Sequence, residues 1–493
     1  MYIVREIDKD LIEWKNSREI KPLLLRGVRQ CGKTSTVRNL GRSFDTFIEI
    51  NFEKEPSFSD LFTQDLDVGR ICSEIELKTE KRITDGSTLL FLDEIQTCPD
   101  AITALRYFKE TRPNLHVIAA GSLLEFALKK SKKPVSFPVG RVRSIYMYPL
   151  SFCEFLTAIG KNTLAENLQA EHRLVSDALH SEYMKHYKSF LVVGGMPEAV
   201  RDFATSGSFL ECQRIHRDIV DNFENDFGKY SDKISAEEIK DVFQFAFRNV
   251  GNQITMTKAV PGMKAARFSE ILDLLSMAGL VFQVRSSTCE SLPLGSGNKN
   301  ISIKLLTFDT GVYLTRQGYD AVELFGAVNL ESLNKGAIVE MQTGLEILKY
   351  SEKYQKAELY FWKRTGANAE VDYVVQKGEN IIPIEVKSNT TGKMQSMAEY
   401  LKNHAAPYGI RVSLENFGTS TFQNRQILVV PVYGVKSIKE SKPISGASQK
   451  PAAVGGMTRE LLDAELAKGV ESLKTGSNTA DEVDSMMAEE FGL

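Results

Sequence analysis

The segment Gly-Val-Arg-Gln-Cys-Gly-Lys-Thr at residues 27–34 fits the phosphate-loop pattern G-x-x-x-x-G-K-[ST] and leaves few folds open to the chain. The apolar run Leu23-Leu24-Leu25 before it predicts a strand, and residues 35–40 after it can continue as a helix. Glycines let such a loop wrap closely, so that its main-chain N–H groups face inward beside a helix N-terminus, where anions bind. The sequence therefore predicts a P-loop fold with a phosphate site in this loop.

The predicted phosphate contacts involve the whole loop and the first residue of the helix after it. These residues are Gly27, Val28, Arg29, Gln30, Cys31, Gly32, Lys33, Thr34 and Ser35. Lys33 would reach the β- and γ-phosphates of a nucleotide, and the Thr34 hydroxyl would coordinate Mg²⁺. We therefore predict ATP and Mg²⁺ as ligands. The alternative is a glycine-rich turn before an ordinary helix.

A second motif, Thr-Leu-Leu-Phe-Leu-Asp-Glu at residues 88–94, is an apolar run that ends in two carboxylates. An unbroken apolar run is typical of a central parallel strand, and residues at its C-terminal end lie at the ligand-binding edge of the sheet. Asp93 would hold Mg²⁺ through water, and Glu94 would act as a general base on the attacking water. The alternative is a strand that ends in a polar turn.

A third predicted strand, residues 116–120, leads into Gly121-Ser122. Ser122 would lie near the γ-phosphate as a polar sensor, although a hydroxyl after a strand is also a common helix N-cap. Arg141 and Arg143 precede a further strand. Held against the nucleotide of a neighbouring copy in a homo-oligomer, Arg141 in the first place would supply an arginine finger. The alternative for these arginines is a surface or phosphate-steering contact.

Composition and charge exclude several classes of protein. The chain has 493 residues, of which 42% are hydrophobic and 25% charged, as in soluble globular proteins of three or four domains. Its formal net charge of −3 gives no general attraction to nucleic acid, so a DNA contact needs a local basic face. The six cysteines are dispersed, the N-terminus lacks a signal-peptide pattern and no apolar run reaches membrane-spanning length. We therefore predict a cytoplasmic protein without a membrane segment.

Changes of pattern divide the chain into five regions. Residues 1–155 alternate strand-like and helical segments, which predicts an α/β fold with a parallel sheet covered by helices. Residues 156–230 are mainly helical and are similar to the small helical lid that follows an ATPase core. Residues 231–329 contain helical runs and then two strands, as in a winged helix, which binds either DNA or protein. Residues 330–437 contain a helix and four strands, and residues 438–493 predict a flexible linker and a helical tail.

A second group of candidate site residues lies in the fourth region. Residues 381–387 predict a strand on which Glu385 and Lys387 share one face. Asp372 lies on the preceding strand, and a hairpin of the two strands would bring it close to Glu385. Such groups can hold Mg²⁺ and position a water against a phosphodiester, and Glu340 on the opening helix would add a carboxylate. The alternative is a common solvated Glu–Lys pair.

Taken together, these motifs resemble a large prokaryotic family of AAA-type ATPases. Its members join an ATPase domain to a C-terminal region of unassigned function with a winged helix and a nuclease-like fold. The resemblance covers residues 1–435 and lies in residues 24–34, 89–96, Gly140-Arg141, Pro149-Leu150-Ser151-Phe152, Gly194-Gly195-Met196-Pro197, 307–311 and 361–387. It implies ATP binding at the phosphate loop and Asp93, with hydrolysis aided by Glu94. It also implies a restriction-endonuclease-like α/β core at Asp372, Glu385 and Lys387.

The tail predicts a protein partner. An apolar stripe at helical spacing runs through residues 462–473. Residues 461–469 and 479–483 are similar to the C-terminal toxin-binding segment of small bacterial antitoxins. The resemblance implies a partner that binds this segment, and the alternative is a helix that packs back on its own chain.

The whole pattern predicts an ATP-binding and ATP-hydrolysing protein of AAA type. In the leading interpretation, nucleotide binding and hydrolysis change the placement of the winged helix and the nuclease-like domain on DNA. In the alternative, the protein is an ATP-switched regulatory scaffold whose inactive nuclease fold binds protein partners. A transporter-like or kinase-like P-loop protein would need membrane segments or an acceptor-substrate signature, and the sequence has neither.

Overall fold

The computed structural model describes most of the chain. The described residues are 2–121, 140–168, 173–230, 233–254, 260–296, 302–319, 336–364, 369–388, 394–422 and 425–442. Ser122 and the predicted partner-binding tail lie outside them. Among the helices in this part of the chain, none is long and apolar enough to cross a lipid bilayer.

The first sheet is parallel and covered by helices on both faces. Its strands are β1 (Leu23–Arg26), β2 (Thr46–Asn51), β3 (Thr88–Asp93), β4 (His116–Ala120) and β5 (Arg143–Tyr146), in the order β2-β3-β4-β1-β5. Its helices are α1 (Ile7–Lys15), α2 (Lys33–Gly41), α3 (Asp60–Thr63), α4 (Val68–Thr79) and α5 (Pro99–Thr111). Leu89 and Phe91 pack into one apolar cluster, and Leu90 and Leu92 into another on the opposite face. The predicted P-loop fold is confirmed.

A helical region follows the first sheet. Its helices are α6 (Phe152–Ala158), α7 (Asn162–Asn167), α8 (Asp177–Val193), α9 (Pro197–Ser206) and α10 (Phe209–Asp226). Gly194 has a φ of 70°, in the left-handed region, and Pro197 supplies the first residue of α9. The Gly-Gly-Met-Pro segment therefore separates two helices, as its composition predicts.

The second sheet is mixed. Its strands are β6 (Gln253–Ile254), β7 (Val281–Ser287), β8 (Ile303–Thr307), β9 (Leu359–Lys363), β10 (Glu370–Lys377), β11 (Asn380–Val386), β12 (Tyr408–Ser413), β13 (Gly418–Phe422) and β14 (Arg425–Pro431). Their order is β13-β14-β12-β11-β10-β9-β7-β8-β6. Its helices are α11 (Ala236–Arg248), α12 (Ala265–Met277), α13 (Thr310–Arg316), α14 (Gly336–Lys349) and α15 (Gln395–Asn403).

The strands expected for a winged helix and those expected for a nuclease-like domain belong to this one sheet. β7 pairs in parallel with β9, with Val284 opposite Leu359. β10 and β11 form the predicted hairpin, in which Lys377 pairs with Asn380. The two regions therefore share continuous main-chain hydrogen bonding, which the local sequence patterns do not predict.

Helix α14 attaches the second sheet to the segment after the first sheet through buried polar contacts. Lys349 Nζ donates to the main-chain oxygen of Leu150 at 2.8 Å, and the Glu346 carboxylate accepts from the Phe152 N–H at 3.1 Å. Glu346 and Lys349 also form an ion pair at 3.2 Å, and both side chains are buried. Since a buried charge without a partner is costly, these contacts hold the two halves in a defined arrangement.

Candidate functional site

The phosphate loop connects β1 to α2 and encloses its own lysine. Lys33 Nζ donates to the main-chain oxygens of Gly27 and Val28 at 2.9 Å each. Gly32 has a φ of 101°, and a Cβ atom on Gly27 would lie 2.2 Å from the main-chain oxygen of Met147. Only glycine fits these two positions without a shift of the backbone. The loop thus has the shape that an anion site requires.

Two of the predicted Mg²⁺ ligands are in contact. Thr34 Oγ1 donates to the Asp93 carboxylate at 3.0 Å, and Asn51 Nδ2 donates to the same carboxylate oxygen at 3.3 Å. Burial, and then the neighbouring Glu94 charge, raise the pKa of Asp93. A hydroxyl and a carboxylate are the hard oxygen ligands that Mg²⁺ prefers, so the residues present fit that ion. Asn51 was not predicted, because nothing near it in the sequence marks it as polar support for Asp93.

Glu94 lies at the edge of the sheet in an unusual backbone conformation. Its φ is 52°, in the left-handed region that non-glycine residues rarely adopt. Its carboxylate accepts a hydrogen bond from Gln96 Nε2 at 2.5 Å. Asp93 and Glu94 therefore differ in environment, because Asp93 contacts Thr34 whereas Glu94 lines the open cavity beside the loop.

This cavity has a volume of about 590 Å³ and lies between the phosphate loop and the helical region. Lys33, Thr34 and Glu94 line it from the first sheet. Arg201 of α9 and Asp226 of α10 line it from the other side. No sequence motif marks Arg201 or Asp226 themselves, although the Gly-Gly-Met-Pro segment at the start of α9 is a usable signal for Arg201.

A second cavity of about 280 Å³ adjoins the first. It is lined by Tyr2 and Asn39, and it shares Gly32, Pro197 and Arg201 with the first cavity. The groove formed by the two cavities therefore runs from the phosphate loop across the start of α2 towards the N-terminal segment. Such a groove has room for a triphosphate at one end and a base at the other.

Arg5 contacts the phosphate loop and also lines the second cavity. Its guanidinium donates to the Cys31 main-chain oxygen at 2.9 Å and to the Tyr148 main-chain oxygen at 2.7 Å. It also pairs with Glu154 at 3.0 Å, and both side chains are buried. Glu154 and Ser151 form the capping box of α6. The Pro-Leu-Ser-Phe segment is therefore connected to the loop through Arg5, a residue that no sequence motif marked.

The Gly-Gly-Met-Pro turn contacts both halves of the molecule. The Gly195 N–H donates to Asp309 Oδ2 at 2.6 Å, and the Gly195 oxygen accepts from the Leu150 N–H at 2.7 Å. A Cβ atom on Gly194 would lie 2.1 Å from Asp309 Oδ1. Asp309 follows β8 and also caps α13 through the Val312 N–H at 3.0 Å. The turn that begins α9 is thus fixed by the second half of the chain.

Arg141 lies away from the cavity within this single chain. Its side chain is 54% exposed and pairs with Glu110 at 3.1 Å, which Arg106 also contacts at 3.0 Å. The Arg143 guanidinium lies 5.1 Å from the centre of the Tyr354 ring. A contact of Arg141 with the nucleotide therefore needs a second copy of the protein and stays a prediction.

Two of the carboxylates predicted for the nuclease-like site, those of Glu340 and Asp372, contact a buried lysine. Lys304 of β8 has a side chain only 4% exposed, and its Nζ lies 2.8 Å from Glu340 and 3.8 Å from Asp372. It also contacts Glu370. Burial lowers the pKa of Lys304, but the charges of Glu340 and Asp372 outweigh this and raise it overall. Burial, and then the Asp372 charge, raise the pKa of Glu340 to about 8.

Glu385 and Lys387 lie side by side next to this cluster, as strand alternation predicts. Their charged atoms are 2.7 Å apart, and Glu385 also accepts from the Met397 N–H at 3.0 Å. Asp372 accepts from the Val386 N–H at 2.8 Å, across the β10–β11 hairpin. Within the described ranges, no group of three or more Asp, Glu, His or Cys side chains is arranged to hold a metal ion. The metal role of Glu340, Asp372 and Glu385 therefore stays a prediction.

Comparison with protein families assigns the region that contains the phosphate loop to a known domain type. Residues 19–156 match a family model described as an AAA domain. Residues 184–323 and residues 335–433 match two further models, DUF8612 and DUF4143, each described as a domain of unknown function. The comparison with curated proteins gives no significant match. The family model and the loop geometry together identify an AAA-type domain of the P-loop ATPase class at residues 19–156.

Several solved structures are similar to the chain at low identity. The Walker-type ATPase PABY2304 of Pyrococcus abyssi has 14% identity and a TM-score of 0.40, over 64% of this chain and 96% of that one. The ORC1 protein of Aeropyrum pernix, solved in complex with DNA, has 14% identity and a TM-score of 0.29, over 64% and 94%. The ORC2 protein of the same organism has 12% identity and a TM-score of 0.28, over 65% and 91%. These scores are low, so the assignment rests on the family model and the geometry.

Proposed function

We propose that the protein binds ATP with Mg²⁺, hydrolyses it, and passes its nucleotide state to the C-terminal half. The observation that supports this most is the single cavity of about 590 Å³ onto which Lys33, Thr34 and Glu94 open together with Arg201. In this proposal Lys33 binds the β- and γ-phosphates, and Thr34 and Asp93 hold Mg²⁺. Glu94 orients the attacking water and accepts its proton.

Two variants test the proposal. Lys33→Ala should lower ATP affinity roughly 10- to 150-fold, because a charged hydrogen-bond donor contributes about 1.5–3 kcal/mol. Glu94→Gln should keep ATP affinity and lower turnover roughly 10²- to 10⁴-fold, because only the proton acceptor is lost. The exposed Lys78→Ala on α4 is the control. Calorimetric ATP titration and phosphate release measure both effects; unchanged ATP binding by Lys33→Ala would refute the site.

The turn before α9 supports the transmission part of the proposal. Pro197 and Arg201 line the cavity, and Gly195 hydrogen-bonds to Asp309 at 2.6 Å. Asp309 follows β8, the strand that carries Lys304 into the carboxylate cluster. A displacement of α9 by nucleotide would therefore shift the second sheet, because the Gly195–Asp309 hydrogen bond connects α9 to the end of β8.

For the output of this change we propose action on DNA at the second sheet. Asp372 lies on β10, Glu385 lies on the adjacent strand β11, and Lys387 follows the end of β11. A hydrogen bond from the Val386 N–H to Asp372 connects the two strands. Carboxylates and a lysine grouped at one place are what metal-assisted phosphodiester hydrolysis requires. In this proposal the metal would enter only when Lys304 moves away from Asp372.

A second candidate output is the binding of a protein partner by an inactive nuclease fold. Lys304 supports it, because its ammonium group already neutralises carboxylates that a metal would need. The exposed face of α12 also supports it. That face presents Glu270 and Asp273, and its Arg267 pairs with Glu238 at 2.9 Å and with Glu270 at 3.1 Å, so the acidic groups outnumber the basic one. An acidic helix face repels DNA phosphates.

Cleavage and binding assays separate the two outputs. Supercoiled, linear duplex and single-stranded DNA are incubated with the protein, ATP and either Mg²⁺ or Mn²⁺. Cleavage that Asp372→Asn abolishes, while Glu379→Gln at the exposed hairpin turn leaves it intact, supports action on DNA. Normal ATP turnover, with neither DNA cleavage nor salt-dependent DNA binding, supports the scaffold.

A further inference from the structure

Arg29 occupies the third position of the phosphate loop and is held by two carboxylates from other parts of the chain. Its guanidinium forms an ion pair with Asp226, the last residue of α10. It lies 3.4 Å from Glu53, which follows β2. Its side chain is 20% exposed, and it lines the same cavity as Lys33 and Glu94. The guanidinium is therefore already in the space where phosphates would lie.

Asp226 presents a problem for a triphosphate in this cavity. Its carboxylate is 15% exposed and lies at the C-terminal end of α10, where the helix dipole is negative. A polyphosphate placed beside it would be repelled unless a cation intervened. Within the described part of the chain, Asp226 is contacted by the cations Arg29 and Lys229, the latter at 2.7 Å. If Arg29 leaves, Lys229 still neutralises Asp226.

We propose that Arg29 binds the γ-phosphate and exchanges Asp226 for it when ATP enters. This inference rests on the proposed ATP site and assigns the group that distinguishes ATP from ADP there. A terminal phosphate presents more charge and more acceptor oxygens to the forked guanidinium than a carboxylate does. ADP lacks that phosphate, so with ADP the Arg29–Asp226 pair persists. The release of Asp226 frees the end of α10 only in the ATP state.

The placement of Arg201 agrees with this assignment. Arg201 lines both cavities and lies on the side that continues towards Tyr2 and Asn39. Of these two cavities, Arg29 lines the one that contains Lys33, Thr34 and Glu94. The phosphate end of the groove therefore belongs to Arg29, beside the proposed general base.

Equilibrium titrations with ATP and with ADP test the inference on the full-length protein. Arg29→Ala should lose at least about tenfold in ATP affinity, while its ADP affinity stays within about twofold of the wild type. Arg29→Lys keeps the charge but not the forked guanidinium, so its ATP affinity should lie between those of Arg29→Ala and the wild type. Asp226→Asn should bind ATP a few-fold more tightly than the wild type and ADP equally, since Arg29 no longer has to leave a carboxylate. Arg106→Ala removes a surface ion pair with Glu110 and is the matched control.

The outcomes are distinct. An equal loss of ATP and ADP affinity in Arg29→Ala would overturn the inference, because Arg29 would then only shape the loop. If Arg29→Ala does not fold, Asp226→Asn decides alone: an unchanged or weaker preference for ATP over ADP overturns the inference, and a stronger preference supports it. Unchanged ATP binding by Lys33→Ala would instead refute the proposed function itself.

Discussion

At the scale of single residues, the buried cluster around Lys304 is a problem of charge balance. One ammonium group contacts the three carboxylates of Glu340, Glu370 and Asp372. It cannot neutralise all three carboxylates, whose side chains are 16%, 23% and 19% exposed, so we expect one of them to hold a proton. The raised pKa of Glu340, caused first by burial and then by Asp372, identifies the carboxyl that does so near neutral pH.

This proton makes stability depend on pH. The pKa of Glu340 is about 8 in the folded state, against an ordinary value of 4.5. Between these values the folded state binds a proton that the unfolded state lacks, so the free energy of unfolding falls as pH rises. Glu340→Gln removes that contribution, and its stability should change less between pH 5 and pH 8 than that of the wild type. Urea unfolding across this range, with Glu379→Gln as control, measures the two slopes; equal slopes would contradict the assignment.

Local motifs mark the residues predicted for the phosphate site, whereas nothing in the sequence marks the residues that contact them from elsewhere in the chain. Lys33 and Thr34 are specified by a local motif, and so is Asp93, whose contact with Thr34 follows from parallel strand packing. Arg5 and Asp226 contact the loop from distant parts of the chain. No periodicity or spacing encodes such pairings, because tertiary packing alone brings these residues to the loop.

At the scale of elements, the Gly-Gly-Met-Pro turn was predicted as a helix break but not as a junction. Its composition shows that α8 must end there, since glycine and proline interrupt helices. That Asp309 would receive the Gly195 N–H depends on where β8 and α13 pack. The same aspartate serves two elements, because it also caps α13.

Asp309→Ala should therefore affect more than an ordinary cap removal does. Loss of the Gly195 contact and of the α13 cap should lower the free energy of unfolding by about 2–4 kcal/mol. It should also weaken ATP binding, because α9 loses the contact that positions Pro197 and Arg201. Ser235→Ala is the matched control, because Ser235 Oγ caps only α11 by accepting from the Glu238 N–H at 3.1 Å. Its loss should lower the free energy of unfolding by about 1 kcal/mol without a change in ATP affinity. Equal effects of the two variants on ATP affinity would argue against the junction.

At the scale of the whole molecule, the apolar clusters extend across the region boundaries that the sequence predicted. One apolar cluster joins Phe91 of the first sheet to Phe268 of α12 and Leu305 of β8. Another joins Phe152 of α6 to Tyr373 of β10. The sequence predicted the strand and helix content of each region, but the pairing of β7 with β9 is a long-range register that local patterns do not specify.

Shared cores predict a single cooperative unfolding transition. The chain has two tryptophans, Trp14 on α1 and Trp362 on β9, and both are buried. Trp14→Phe and Trp362→Phe each leave one reporter, and the two variants should melt at the same temperature by fluorescence. ATP with Mg²⁺ should raise both melting midpoints together. At an ATP concentration of roughly 100 times Kd, it should add about 2.7 kcal/mol to the free energy of unfolding. An ATP effect on Trp14 without one on Trp362 would show that the two halves unfold independently. Lys33→Ala, which should bind ATP more weakly, is the control, and the same ATP concentration should shift its midpoints less.

The contacts of Glu346 and Lys349 with the main chain at Phe152 and Leu150 have a consequence for recombination. A chimera that joins this ATPase domain to the C-terminal half of a relative would keep the acceptor and donor on the backbone. It would fold only if the incoming helix carried a carboxylate and a lysine or arginine at the positions of Glu346 and Lys349, three residues apart. Shuffling libraries built on this chain should therefore accept crossovers within either half far more often than at the boundary between them.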